Sequence, residues 1–181
     1  MADFNLKPGT WQIDPTHSQI GFSVRHMMIS RVRGRMEKFG ATLDVGDDPL
    51  TSSVTARIDA SSIDTGNEER DAHIRSSDFF DAATHPEWTF ASTAIRPDGA
   101  AFLLDGRLTV KGTALPVALR VEFNGTTTDR YGLTRAAFHA ETELSRTAFG
   151  VDIQMPMDGG GVVVGDRVTV EIDAEFVHDR R

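Results

Sequence analysis

Apolar and polar residues alternate one for one through long stretches of this chain. From Ile20 to His26, the residues Ile20, Phe22, Val24 and His26 share one parity, while Gly21, Ser23 and Arg25 share the other. Val54, Ala56 and Ile58 alternate with Thr55, Arg57 and Asp59, and Phe102, Leu104, Gly106, Leu108 and Val110 oppose Asp105, Arg107 and Thr109. The same two-residue period runs from Val117 to Asn124, from Ala136 to Leu144 and from Val168 to Phe176. Successive side chains of a β-strand point to opposite faces, so each stretch reads as a strand with one buried and one wetted face.

Turn chemistry separates these strands at Pro97-Asp98-Gly99, Asn124-Gly125 and Asp158-Gly159-Gly160-Gly161, because Gly and Asn supply the positive φ that tight turns need. Many half-buried strands joined by short turns read as a meander that closes into a barrel or stacks as a sandwich. The 181 residues fit one domain, with no internal repeat, low-complexity tract or linker. The expected fold class is all-β: one antiparallel domain, barrel or sandwich, over residues 1–181. One stretch departs from the pattern. Asp64 to Arg75 is polar and rich in helix formers. Thr65 with Glu68 fits a capping box, Asn67 is a second N-cap candidate, and Glu68, Glu69 and Arg75 suit the helix dipole. A helix this short and polar needs an anchor, which Phe79-Phe80 offers, so it is expected as a lid across one barrel mouth.

Small residues recur at strand centres on the inward parity: Ala56, Gly106, Ala140 and Ala174, with Gly34 among them. The large aromatics Phe22, Phe90, Phe102, Phe123, Phe138 and Phe176 fall nearer the strand ends. An eight-stranded barrel is just wide enough to be filled or to hold one small ligand. Two readings stay open here: an elongated central void, or small and large residues alternating to fit the barrel's taper.

Composition narrows the partners. A net charge of −8 and a pI near 5.2 argue against nucleic acid, whose phosphates demand a basic face. No segment is apolar for the roughly 18 residues a membrane helix requires, so the protein is not expected to be membrane-integral. Cysteine is absent, which removes disulfides, thiolate metal sites and a cysteine nucleophile. Met1 to Gly9 lacks a basic region followed by an apolar stretch, so no signal peptide and a cytoplasmic location are expected.

No catalytic or metal constellation is legible. Ser18 adjoins His17, but no nucleophile elbow or Gly-rich oxyanion loop surrounds it. His17 with His26 or His73 lacks the helical i, i+4 spacing and the acidic partners of a metal site. The Gly159–Gly161 run lacks the Lys-Ser/Thr of a phosphate loop. Asp14-Pro15-Thr16 has the chemistry of a turn starter.

Several motifs in order carry a resemblance. They are Trp11-Gln12-Ile13-Asp14-Pro15-Thr16-His17-Ser18 with Phe22, Val24 and His26, then Val32-Arg33-Gly34, then Ser62-Ile63-Asp64-Thr65-Gly66 with Glu69-Arg70-Asp71. Asp78-Phe79-Phe80-Asp81, His85-Pro86, Phe90, Gly106 to Gly112, Pro116-Val117 and Ser145-Arg146-Thr147-Ala148-Phe149-Gly150 follow. Together they resemble the YceI family of lipocalin-like barrels, the polyisoprenoid-binding proteins. The resemblance implies an extended barrel of about eight strands, with a short helix near one mouth, around a long apolar tunnel. It also implies binding of a polyisoprenoid, an isoprenoid quinone or a fatty amide, with no cofactor required. Family members are often dimeric, which leaves a homodimer open, and many are periplasmic, a feature the chain's start does not share. Met36 stands where the family often shows Phe, a departure that bears on tunnel width.

Inward parity and these motifs together nominate the tunnel wall. Phe22, Val24, His26 and Gly34 come from the first half, with Ala56, Ile58, Phe80 and Phe90. Leu108, Phe123, Phe138 and Ala140 follow, and then Phe149, Val170, Ile172 and Ala174. His17, Arg70, Asp71 and Arg146 are the head-group candidates. For Arg70-Asp71 and Arg146 the structural alternative, satisfying helix ends and turn carbonyls, is the favoured one. An enzyme acting on such a lipid at the mouth through His17, Asp71 or Arg146 is the rival reading.

Overall fold

A computed structural model of the chain describes residues 4–153 and 164–180. Strands β1 (Gly9–Ile13), β2 (Gln19–His26), β3 (Ser30–Met36), β4 (Phe39–Val45) and β5 (Ser53–Asp59) lead to a short β6 (Ile63–Asp64) and the helix α1 (Glu68–Arg75). Longer strands follow: β7 (Glu87–Asp98), β8 (Ala101–Val110), β9 (Thr113–Thr128), β10 (Thr134–Ser145) and β11 (Val164–His178). Strands β1, β4, β5, β7, β8, β9, β10 and β11 hydrogen-bond in that order, and β1 pairs back onto β11, closing an eight-stranded antiparallel barrel. Closure leaves these strands no free edge.

β11 serves two neighbours. Its Phe176–His178 end pairs with β1, and its stretch from Val164 to Asp173 pairs with β2. β1 and β2 therefore act as one bent stave, broken where Asp14 caps a short 3-10 turn by accepting the Thr16 N–H at 3.0 Å. β3 pairs with β2 along its whole length, but on its other side only Arg35 and Met36 find a strand, β6.

Local expectations are refined in three places. The Asn124-Gly125 pair does not turn the chain, because β9 runs on to Thr128. The register instead shifts, with Ala137 opposite Gly125 and Phe138 opposite Phe123. The extra residue is absorbed as a bulge, which lets a glycine take positive φ without ending the ladder. The hairpin turns later, around Asp129, whose carbonyl accepts from Gly132 N–H. At α1 the N-cap is Asn67, accepting the Arg70 N–H at 2.9 Å, and not Thr65. The Thr65 hydroxyl is already donated to the Asp71 carboxylate. The expected turn at Asp158–Gly161 lies outside the described residues.

Both barrel ends are stopped. At one end the N-terminal segment folds inward: Phe4 and Leu6 join Trp11, Leu43, Val45, Phe102, Ala136 and Phe176 in a single cluster. Trp11 is fully buried, and its Nε1–H donates to the Lys7 carbonyl at 3.0 Å. The Phe4 ring meets Phe102 edge-on at 4.8 Å and Phe123 at 6.0 Å, favourable geometries for aromatic pairs. At the other end Phe79, Val110, Phe149 and Val151 cluster beneath α1, with Ile74, Phe80 and Trp88 packed against them. Among the described residues, no helix is long and apolar enough to cross a membrane.

Candidate functional site

Between plug and lid lies a cavity of about 490 Å³, within the roughly 300–1,000 Å³ of pockets that take a whole small molecule. Its walls are the inward parity of the strands. Along β10 it touches Phe138, Ala140, Thr142 and Leu144, a run of about 20 Å at the usual rise per strand residue. The void is long, narrow and overwhelmingly apolar.

Phe22, Val24 and His26 line it from β2, Ala56 and Ile58 from β5, and Phe80 and Phe90 from the lid side and β7. Leu108, Phe138, Ala140 and Phe149 line it too, as do Val170, Ile172 and Ala174. Gly34 and Phe123 are nominated residues that do not. Gly34 lies opposite Phe22 across β2 and β3, and a Cβ built on it would fall 2.4 Å from Phe22 Cζ. The ring covers the glycine and takes its place on the wall. Gly106 is covered in the same way by Phe90, whose Cζ lies 2.4 Å from a Cβ built there. These two glycines are seats for rings; the alanines that face the void are Ala41, Ala56, Ala140 and Ala174. Phe123 sits beyond the cavity's end, against Phe4 and Phe138 in the plug.

The head-group candidates divide. Arg70 and Arg146 border the cavity, and Asp71 and His17 do not. Asp71, 3 % exposed, accepts from the Thr65 backbone N–H and hydroxyl, while Arg70 donates to the Thr65 hydroxyl and carbonyl at 2.7 and 2.8 Å. The pair ties the start of α1 to the end of β6. Arg146 donates through Nε to the Gly165 carbonyl, through Nη1 to Val151 and Ile153, and through Nη2 to Val164. Burial pushes its guanidinium below the usual arginine range; its donors are spent on satisfying carbonyls on both sides of the 154–163 segment.

His17 lies at the plug end. Its Nδ1–H donates to Asp14 Oδ2 at 2.9 Å, and Glu175 of the same group is ten strand residues from Gly165, on the order of 30 Å from the Arg146 contacts. His17, Asp71 and Arg146 therefore do not converge on one reacting centre. Ligand atoms of Asp14, His17 and Glu175 come within 4.8 Å of one another, an acidic partnership that the sequence hid because Glu175 is so remote in the chain. A cation already fills the centre: Arg135 Nη1 donates to Asp14 Oδ2 at 2.8 Å and to Glu175 Oε1 at 2.7 Å. The hydrogen bond from His17, then that from Arg135, holds the Asp14 carboxyl well below the usual carboxylate range. This knot pins a barrel end and is poorly suited to a metal ion.

The polar part of the cavity wall is elsewhere, at the lid. His73 lines the cavity beside Arg70 and Thr65, and its ring packs edge-on against Phe79 at 5.1 Å. Nothing in the strand pattern marks His73. The signal that finds it is helical: Arg70, His73 and Ile74 are spaced i, i+3, i+4 and share one face of α1. Trp88, also on the wall, packs edge-on to Phe80 at 4.7 Å, and its buried Nε1 has no hydrogen-bond partner among the described residues.

The model of the YceI-like domain matches residues 11–176. A UPF0312 protein of Staphylococcus epidermidis is 36 % identical over 171 residues, covering 93 % of this chain and 98 % of the relative. Among solved structures, Burkholderia cenocepacia BcnA superposes with a TM-score of 0.77 at 26 % identity, covering 90 % of this chain and 98 % of that one. A polyisoprenoid-binding domain from Saccharophagus degradans, implicated in plant cell wall breakdown, covers 96 % of this chain and 100 % of its own with a TM-score of 0.66. At 15 % identity that last likeness speaks for the fold alone. With the domain match spanning the barrel from β1 to β11, and a relative alike over nearly its full length, the chain belongs to the YceI family.

Proposed function

We propose that this protein binds and carries a long apolar lipid inside its barrel, a polyisoprenoid, an isoprenoid quinone or a fatty amide, and leaves it chemically unchanged. The observation that carries this reading is the apolar cavity of about 490 Å³ running between plug and lid. Hydrocarbon buried there gains about 0.8 kcal/mol per methylene before the costs of association, so few polar contacts are needed. A polar head group fits the lid end, beside Thr65, Arg70 and His73. Extra methylenes discriminate weakly, whereas an unmatched buried polar group discriminates strongly. Selectivity is therefore expected to be loose for chain identity and stricter for head group. The Saccharophagus domain, which shares this fold, is itself a polyisoprenoid-binding domain. The separation of His17, Asp71 and Arg146 favours carriage over catalysis at the mouth.

Native mass spectrometry and solvent extraction of freshly purified protein test the proposal. An apolar molecule of several hundred daltons should accompany the barrel. Ala140→Phe and Ala174→Phe place rings in the void and should abolish its retention while leaving a folded barrel. A protein that comes empty and also refuses isoprenoids, quinones and fatty amides in titration is not a carrier. Turnover of an added lipid that His17→Ala abolishes, with binding retained, makes it an enzyme instead.

A further inference from the structure

The chain carries a net charge of −8, yet no acidic residue occurs from Pro15 to Met36. That stretch is the β2–β3 hairpin, and its outer face is arginine. Arg25 lies directly opposite Arg31, and Arg33 opposite Ser23. Like charges facing each other across strands repel. Among the described residues no carboxylate is ion-paired with Arg25, Arg31 or Arg33; the Arg31 guanidinium donates only to the Ser23 hydroxyl, at 3.3 Å. Among the described residues that charge has no carboxylate counterion, on an otherwise acidic molecule.

The tip of this hairpin is apolar. Met27, Met28 and Ile29 are 42 %, 45 % and 89 % exposed, three of the five large hydrophobic side chains exposed on the described surface. They are held by a tight turn in which Ile29 N–H donates to the His26 carbonyl, with both central residues, Met27 and Met28, at positive φ. Asn-Gly usually fills such a turn. Apolar methionines here are unfavourable for the backbone and for solvation alike. His26, the first residue of the turn, lines the cavity, as do Val24 and Val32 behind it. The tip thus projects from the tunnel wall itself.

We infer that the β2–β3 hairpin is a membrane-docking element. Met27, Met28 and Ile29 enter the interfacial region of an anionic lipid bilayer, and Arg25, Arg31 and Arg33 meet its head groups. Apolar insertion combined with basic residues at the rim is the chemistry by which proteins hold to anionic lipid surfaces without spanning them. The inference does not require the tunnel to be occupied, although docking would set the tunnel wall against the membrane.

Flotation of the full-length protein with vesicles of equal parts phosphatidylcholine and phosphatidylglycerol tests it, with pure phosphatidylcholine vesicles alongside. Wild type should float with the anionic vesicles, weakly with the neutral ones, and less as salt is raised. Met27→Asn/Met28→Gly relieves the turn and removes the apolar tip. It should raise the melting temperature while lowering vesicle affinity about tenfold or more, opposite signs that a purely structural hairpin does not give. Ile29→Asp should lower affinity without unfolding so exposed a site. Arg25→Gln/Arg33→Gln should weaken binding about 20–30-fold. Bound-lipid content, measured on the same samples, should be unchanged in all of these variants. Wild type that ignores anionic vesicles, or tip variants that bind as well as wild type, overturns the inference. A wild-type dimer that Ile29→Asp splits, with no vesicle binding by either, also overturns it and makes the tip a contact between two copies. Empty protein that still docks removes the carrier reading and leaves docking intact; loaded protein that does not dock does the reverse.

Discussion

Two glycines decide how the tunnel wall is tiled. Gly34 and Gly106 sit on the inward parity, where a strand ordinarily presents a side chain, and each is roofed by a phenylalanine ring from a neighbouring strand. The rings of Phe22 and Phe90 can lie against the sheet only because no Cβ stands beneath them. In Gly34→Ala the new carbon would meet Phe22 Cζ at 2.4 Å and Thr65 Cγ2 at 3.0 Å. The ring must lift towards the cavity, with a loss of about 1–3 kcal/mol in folding stability and a narrower void. Urea denaturation should show this as a lowered midpoint at unchanged slope, and Gly34→Ala/Phe22→Leu should recover most of it. Equal midpoints for wild type and Gly34→Ala would mean that the ring is not seated as described. The sequence shows these glycines as small residues in a strand, which fits empty space and a covered seat equally well. Only the register, Phe22 opposite Gly34, separates the two.

At the scale of elements, what could be read from the chain was what repeats locally. The alternation located β2, β5, β8, β9, β10 and β11, because a strand with one wet face writes its period into consecutive residues. Most of the residues nominated from it and the motifs, Val24, Ala56, Leu108, Ala140 and Ala174 among them, lie on the cavity wall, although they are only part of that wall. The helix between β6 and β7 was legible from its caps and charges, although the choice between Thr65 and Asn67 was not. That choice turns on where Asp71 sends its carboxylate, and Asp71 is buried by packing that no local pattern records. Asn67 is thus the side chain that caps the start of α1. Asn67→Ala should destabilise the helix by about 1 kcal/mol. Its other polar ties, from Asp71 and Arg70 to Thr65 and from Arg75 to the Ser61 and Ile63 carbonyls, are confined to the lid and its border with β6 and leave the barrel ladder untouched. Amide exchange should therefore quicken across Glu68–Arg75 while the strands of the barrel keep their protection. If lipid enters or leaves past α1, its release should accelerate in step. Uniform exchange changes over the whole barrel would show that the lid is not a separate opening unit.

For the whole molecule, closure and contents depend on residues far apart in the chain. The pairing of β1 with β11 joins Trp11 to His178, and the knot at the plug end joins Arg135 to Asp14 across 121 positions. Neither leaves a trace in any short window of sequence, whereas the barrel class and the helical lid do. The hollow centre is likewise a property of the closed assembly, since alternation fixes which residues face inward but not whether they meet. A hollow of this size has an energetic consequence. Its lining forgoes the contacts that a packed core makes, so an empty barrel lacks stabilisation that an occupant restores. A ligand that binds only the folded state adds RT ln(1 + [L]/Kd), about 2.7 kcal/mol at a hundredfold excess over Kd. For a domain of this length that corresponds to a rise of roughly 5–11 °C in melting temperature. Solvent-extracted protein should therefore melt lower than protein as purified, and adding back an isoprenoid or fatty amide should restore the difference. Ala140→Phe, with its own ring in the void, should melt at one temperature whether extracted or not. If extraction leaves the wild-type melting temperature unchanged, the cavity holds nothing that the fold depends on, and the tunnel is a packing defect rather than a binding site.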